Sequence, residues 1–106
     1  MRVAVIGSPG VRMPDLAKHM PEGTTAIIPG GGRGADTETR KYAQRYGLEL
    51  VELQQGRDAH GCRSDALVEA ADYVLAFWDG FSHGTAYVIK RCVTLGKPYE
   101  IHICAK

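Results

Sequence analysis

Short apolar runs rich in β-branched residues alternate along this chain with stretches whose apolar residues fall at helical spacing. Residues 2–7 (RVAVIG), 24–28 (TTAII), 48–53 (LELVEL), 72–78 (DYVLAFW) and 99–104 (YEIHIC) read as strands. Residues 13–21 admit at most a short helix fenced by prolines, and residues 35–46, 63–71 and 85–96 read as helices. Gly47 stands where a left-handed cap belongs, Gly96 and Pro98 end the last helix, and Ser64 or Asp65 can cap the helix at 63–71. Parallel strands need long crossovers, so this alternation confines the chain to an α/β fold: a five-stranded, mostly parallel sheet with helices on both faces. With strand order 3-2-1-4-5, the loops at 7–12, 29–36, 57–63 and 79–85 line the carboxyl edge, where open α/β sheets bind ligands.

The chain has 106 residues, which suits one domain spanning 1–106. Thirteen Lys and Arg against twelve Asp and Glu give a net charge of +1. Neither that balance nor the few aromatic residues provides the footprint of a nucleic-acid binder. The three cysteines, Cys62, Cys92 and Cys104, are odd in number and form no C-x-x-C pair, which points to a reduced, cytoplasmic setting. The apolar run at the N-terminus is too short for a signal-peptide core or a membrane span. His60-Gly61-Cys62 lacks a second pair at zinc spacing, so neither a metal nor a cofactor is expected.

Two glycine-bearing turns carry the candidate chemistry. Gly30, Gly31, Gly32 and Gly34 stand between a strand and a helix. Such a cluster either serves a tight turn or lays bare the backbone amides of a helix start, where partial positive charge suits a phosphate. Arg33 could clamp an anion, and Asp36 could favour the helix dipole or accept from a ribose hydroxyl. Gly30-x-Gly32-x-x-Ala35 fits a dinucleotide fingerprint, with Glu49 or Glu52 as its acid, but it follows the second strand rather than the first. In the second turn, WDGFSHGT, Asp79 ends a strand, Gly80 and Gly84 free the backbone, Ser82 and Thr85 bring hydroxyls, and Thr85 can cap the helix. Trp78 and Phe81 flank it and could cover a base.

The segments GGGRGAD (30–36), ADYVLAFWDGFSHGTAYVI (71–89) and GKP (96–98) resemble the SLOG superfamily, most closely its small YspA-type proteins. The resemblance covers nearly the whole chain. It implies a Rossmann-like, three-layer α/β/α fold that binds or senses a nucleotide or nucleotide-derived ligand. The ligand positions it implies are Gly7 and Ser8, then Gly31, Gly32, Arg33, Gly34 and Asp36, then Arg63, and finally Asp79, Gly80, Ser82, Gly84 and Thr85. Relatives include the LOG-type phosphoribohydrolases and the single-strand-binding DprA proteins, and relatives often form homodimers through helices beside the site. Two departures stand out. The family's Arg-Asn pair reads Arg63-Ser64 here, and Val88 occupies the position of the carboxylate in the LOG enzymes. Glycosidic cleavage passes through a cationic sugar and needs such a carboxylate. An enzymatic reading, cleavage of an N-glycosidic bond in a nucleotide, must therefore use Asp79 or Asp36. The leading expectation is a binding or sensing module for a nucleotide or nucleoside phosphate.

Overall fold

The computed structural model describes residues 1–8, 10–30, 33–52 and 60–105, without the side chains of 33–34 and 60–64. The strands are β1 (Arg2–Gly7), β2 (Ala26–Pro29), β3 (Glu49–Leu50), β4 (Tyr73–Trp78) and β5 (Tyr99–Ile103). The helices are α1 (Arg33–Tyr46), α2 (His60–Ala70) and α3 (His83–Leu95), with a 3-10 turn at Leu16–Lys18. The five strands form one sheet in the order β3-β2-β1-β4-β5, and every pairing in it is parallel. This is the expected 3-2-1-4-5 topology, a Rossmann-like α/β fold.

The side-chain alternation of the central strands builds two cores. Ala4, Ile6, Ile28, Val74 and Ala76 face α2 and α3, where they meet Leu67, Val68, Val88 and Cys92. Val3, Val5, Ile27, Leu75 and Phe77 face the other way, toward Leu16 of the 3-10 turn and Ala43 of α1. Strands buried on both sides read as continuous apolar runs, which is why RVAVIG and YVLAFW stood out. Each fully buried Val, Leu, Ile or Phe contributes about 1.5–3 kcal/mol relative to its exposed state.

The edges depart from the sequence reading. The alternating run at 48–53 predicts a six-residue strand, yet among the described residues β3 pairs only as Ala26 with Glu49 and Ile27 with Leu50. The bonds alternate along β2: Glu49 donates to Thr25 O and Val51 to Ile27 O. The next rung needs an N–H from residue 29, and Pro29 has none. The helical spacing at 85–96 predicts a buried stripe of Ala86, Ile89, Cys92 and Val93, and in α3 this stripe is rotated. Thr85, Val88 and Cys92 are its buried residues, while Val93 is 60% exposed. On α1, Tyr46 is exposed and Thr39 is buried; the Thr39 hydroxyl donates to Ala35 O at 2.6 Å, which lets a polar residue sit inside. Helix α2 begins at His60, so Ser64 and Asp65 are interior rather than caps. Asp65 instead accepts from Tyr87 Oη at 3.1 Å and pairs with Arg91 at 2.9 Å, tying α2 to α3.

Glycine at the end of β1 is dictated by packing. A Cβ on Gly7 would lie 2.6 Å from Ala35 Cβ, and one on Gly30 would run into Ile6 Cγ2 and Val5 O. Neither neighbour is the loose end of a long side chain. Gly7→Ala and Gly30→Ala should each lower stability by about 1–3 kcal/mol in urea unfolding, the range for overpacking.

Candidate functional site

The carboxyl end of β1 is where the first turn of α1 and the turn after β4 meet. At Gly7 the first turn of α1 closes down on the strand through Ala35, which is fully buried. One residue on, the chain reaches Ser8. Its N–H donates to Phe77 O at 2.9 Å, so β1 and β4 stay joined past the last strand residue. Its hydroxyl accepts from Asp79 N at 3.1 Å and lies 3.2 Å from Thr85 Oγ1. Ser8 is 0% exposed and Thr85 5% exposed. One buried serine thus links β1, the turn after β4, and the first turn of α3.

That turn is held by its own side chains. Asp79 Oδ1 accepts from Phe81 N and Ser82 N, both at 2.8 Å. Gly80 has φ 88 between them, a left-handed conformation that favours glycine. Trp78 Nε1 donates to Ser82 O at 3.0 Å, which draws the indole back over the turn. Ser82, rather than Thr85, is the N-cap of α3, and its side chain makes no capping bond. The Thr85 hydroxyl is engaged with Ser8 and lies 3.4 Å from Ser82 Oγ. The first-turn amides of α3 have no carbonyl one turn behind them. Phe81 projects from the same turn with 84% of its surface exposed.

Gly84 stands apart from the other described glycines. Its φ lies outside the left-handed region, and a Cβ built on it meets nothing within 4 Å. Glycine in a helix is about 1 kcal/mol worse than alanine. Neither packing nor backbone geometry accounts for it here.

The candidate residues separate into those the fold brings together and those it does not. Gly7, Ser8, Asp79, Gly80, Ser82, Gly84 and Thr85 share one end of the sheet, around β1 and β4. Asp36 is turned elsewhere: it pairs with Arg40 at 2.9 Å, and Arg40 also binds Glu52, beyond β3. This bridge engages the Asp36 carboxylate within α1, and its Asp-x-x-x-Arg spacing is a helical ion-pair signal. Gly31 and Gly32 lie outside the described residues. Arg33 and Gly34 fall in the first turn of α1, and Arg63 within α2, rather than at its start. Val88 is 4% exposed in the apolar cluster under α3, so a carboxylate at that position would enter the core.

A groove of about 200 Å³ lies away from this site, between the 3-10 turn and the C-terminal half of α1, lined by residues such as Asp15, Tyr42 and Tyr46. On the same face as α1, His19, Glu100 and His102 bring one ligand-type atom each within 4.8 Å of one another. Sequence spacing gave no sign of this group, because His19 is remote in the chain. Its members are engaged with each other: His102 Nε2 donates to Glu100 Oε2 at 2.8 Å, and the His102 ring stacks on Phe77 at 5.4 Å. The bond from His102 is the main reason the Glu100 carboxyl lies below its usual range.

Asp79→Ala removes the acceptor of two backbone amides and should destabilise the protein by about 0.5–2 kcal/mol, as lost caps do. Asp79→Asn keeps an oxygen in that place and should recover most of the loss; denaturant midpoints of the two variants provide the check.

The chain matches no protein-family model, and neither a curated protein nor a solved structure is significantly similar to it.

Proposed function

We propose that this protein binds a nucleotide or a nucleotide-derived ligand at the carboxyl ends of β1 and β4, with the anionic group over the first turn of α3 and the base against Phe81. The observation that carries this reading is Gly84. It leaves the uncapped amides of that turn open, and no internal demand of the fold explains it. A ligand lying against bare backbone does explain it, since a helix start with free amides attracts phosphate. Phe81 supports the same reading from the other side of the turn: an exposed ring beside an anion site suits a base, whose π-face stacks on aromatics. The likeness of residues 30–36 and 71–89 to the turns of SLOG proteins adds Arg33 as a guanidinium clamp. Binding is favoured over glycosidic cleavage, because Asp79 Oδ1 is occupied with turn amides and Asp36 with Arg40.

Calorimetric titration of the full chain with AMP, cyclic nucleotides and ADP-ribose tests the proposal. At least one should bind with Kd below about 100 μM. Arg33→Ala should weaken it by about 1.5–3 kcal/mol, the range for a charged hydrogen bond. Gly84→Val should weaken it at least about tenfold while leaving the melting temperature nearly unchanged, since its Cβ enters open space. Absence of binding tighter than about 1 mM across the panel, or affinity indifferent to both substitutions, overturns it.

A further inference from the structure

Strand β5 ends the sheet, and its outer side faces no other strand among the described residues. Its bonds to β4 run through even-numbered positions: Pro98 O accepts from Val74 N, and Cys104 N donates to Trp78 O. In a parallel ladder alternate residues address the same neighbour, so the N–H and C=O groups of Tyr99, Ile101 and Ile103 point outward. The open stretch is bounded. Past it, Arg12 N donates to Ala105 O at 2.9 Å, so the β1–β2 connection occupies the edge there.

The side chains of the same three residues are uncovered as well. Tyr99, Ile101 and Ile103 register with Val74, Ala76 and Trp78, which puts them on the face that α2 and α3 cover. Yet they are 38%, 38% and 68% exposed. Helix α3 is tied to Asp65 of α2 through Tyr87 and Arg91. Its opposite flank carries Ile89, partly buried, and Val93, 60% exposed. An apolar band therefore runs from that flank onto the edge strand. Neither a lysine, a proline nor a bulge occurs within β5, and its one carboxylate, Glu100, lies on the face opposite α2 and α3.

We propose that β5 is the interface of a homodimer, in which the strands of two copies pair antiparallel about a two-fold axis at Ile101. The sequence YEIHI is chemically self-complementary about that residue. On the α3 face, Ile101 meets its own copy and Tyr99 meets Ile103. On the other face, Glu100 of each copy stands opposite His102 of the other. Moving the axis one residue would set Glu100 against Glu100 or His102 against His102, and like pairs across strands destabilise. The outward backbone groups of residues 99, 101 and 103 then bond one another, and Val93 and Ile89 pack across the axis. An isologous contact of this kind closes on itself. The nucleotide reading is independent of it.

Sedimentation equilibrium of the full chain, in buffer containing EDTA, tests the proposal. Wild type should approach twice the 11.5 kDa chain mass. Ile103→Lys should raise the dimer dissociation constant at least about 100-fold, with circular dichroism unchanged, since the side chain is largely exposed in one copy. His102→Glu should raise it at least about tenfold, and adding Glu100→His should restore it, because the swap recreates unlike pairs. A wild-type chain that stays monomeric to about 1 mM overturns the proposal. So does a dimer indifferent to Ile103→Lys, or a His102→Glu defect that the second substitution leaves unrepaired.

Discussion

The buried hydroxyl of Ser8 is the point on which the arrangement of the site depends. A hydroxyl with no access to water must be hydrogen-bonded, or its desolvation counts against folding. Ser8 meets that requirement with groups from two other elements, the Asp79 amide and the Thr85 hydroxyl. The turn after β4 and the start of α3 are thereby registered against the end of β1. Further elements then follow in order: Asp79 folds the turn, Gly80 supplies its left-handed residue, and Ser82 becomes the N-cap.

The glycines show how one residue type answers three demands. Gly7 and Gly30 are small because helix and strand approach each other there. Gly47, Gly80 and Gly96 adopt positive φ, and Gly96 ends α3 with bonds back to the carbonyls of Cys92 and Val93. Gly84 meets neither demand. Sequence alone presents all of these as the same letter, and only the surroundings of each separate packing from turn geometry and from access.

What the sequence made legible was whatever depends on periodicity. The continuous apolar runs of β1 and β4 follow from burial on two faces, and the alternation of strand and helix from the parallel sheet, whereas the strand order rests on the resemblance rather than on periodicity. Less legible was anything set by a partner remote in the chain. The short described reach of β3 depends on a proline in the neighbouring strand, and Tyr87 and Arg91 of α3 find their partner in Asp65 of α2. Ser8 enters only as a ligand position that the resemblance implies; its bond to Thr85, 77 positions away, is not readable from the chain. The helical spacing of Asp36 and Arg40 was readable, but the sugar-binding role competed with it for the same carboxylate.

The two margins of the sheet are unequal, and this asymmetry bears on how the protein behaves when crowded. One margin is the two-residue β3, curtailed by Pro29; the other is the five-residue β5 with its backbone groups turned outward. Fibrils grow when both margins of a sheet can accept a neighbour, because each addition presents a fresh surface. Among the described residues, the β3 margin carries two paired residues against five in β5, so β5 is the wider template for strand addition. The missing N–H of Pro29, between β1 and β3, thus keeps the described part of the β3 margin narrow.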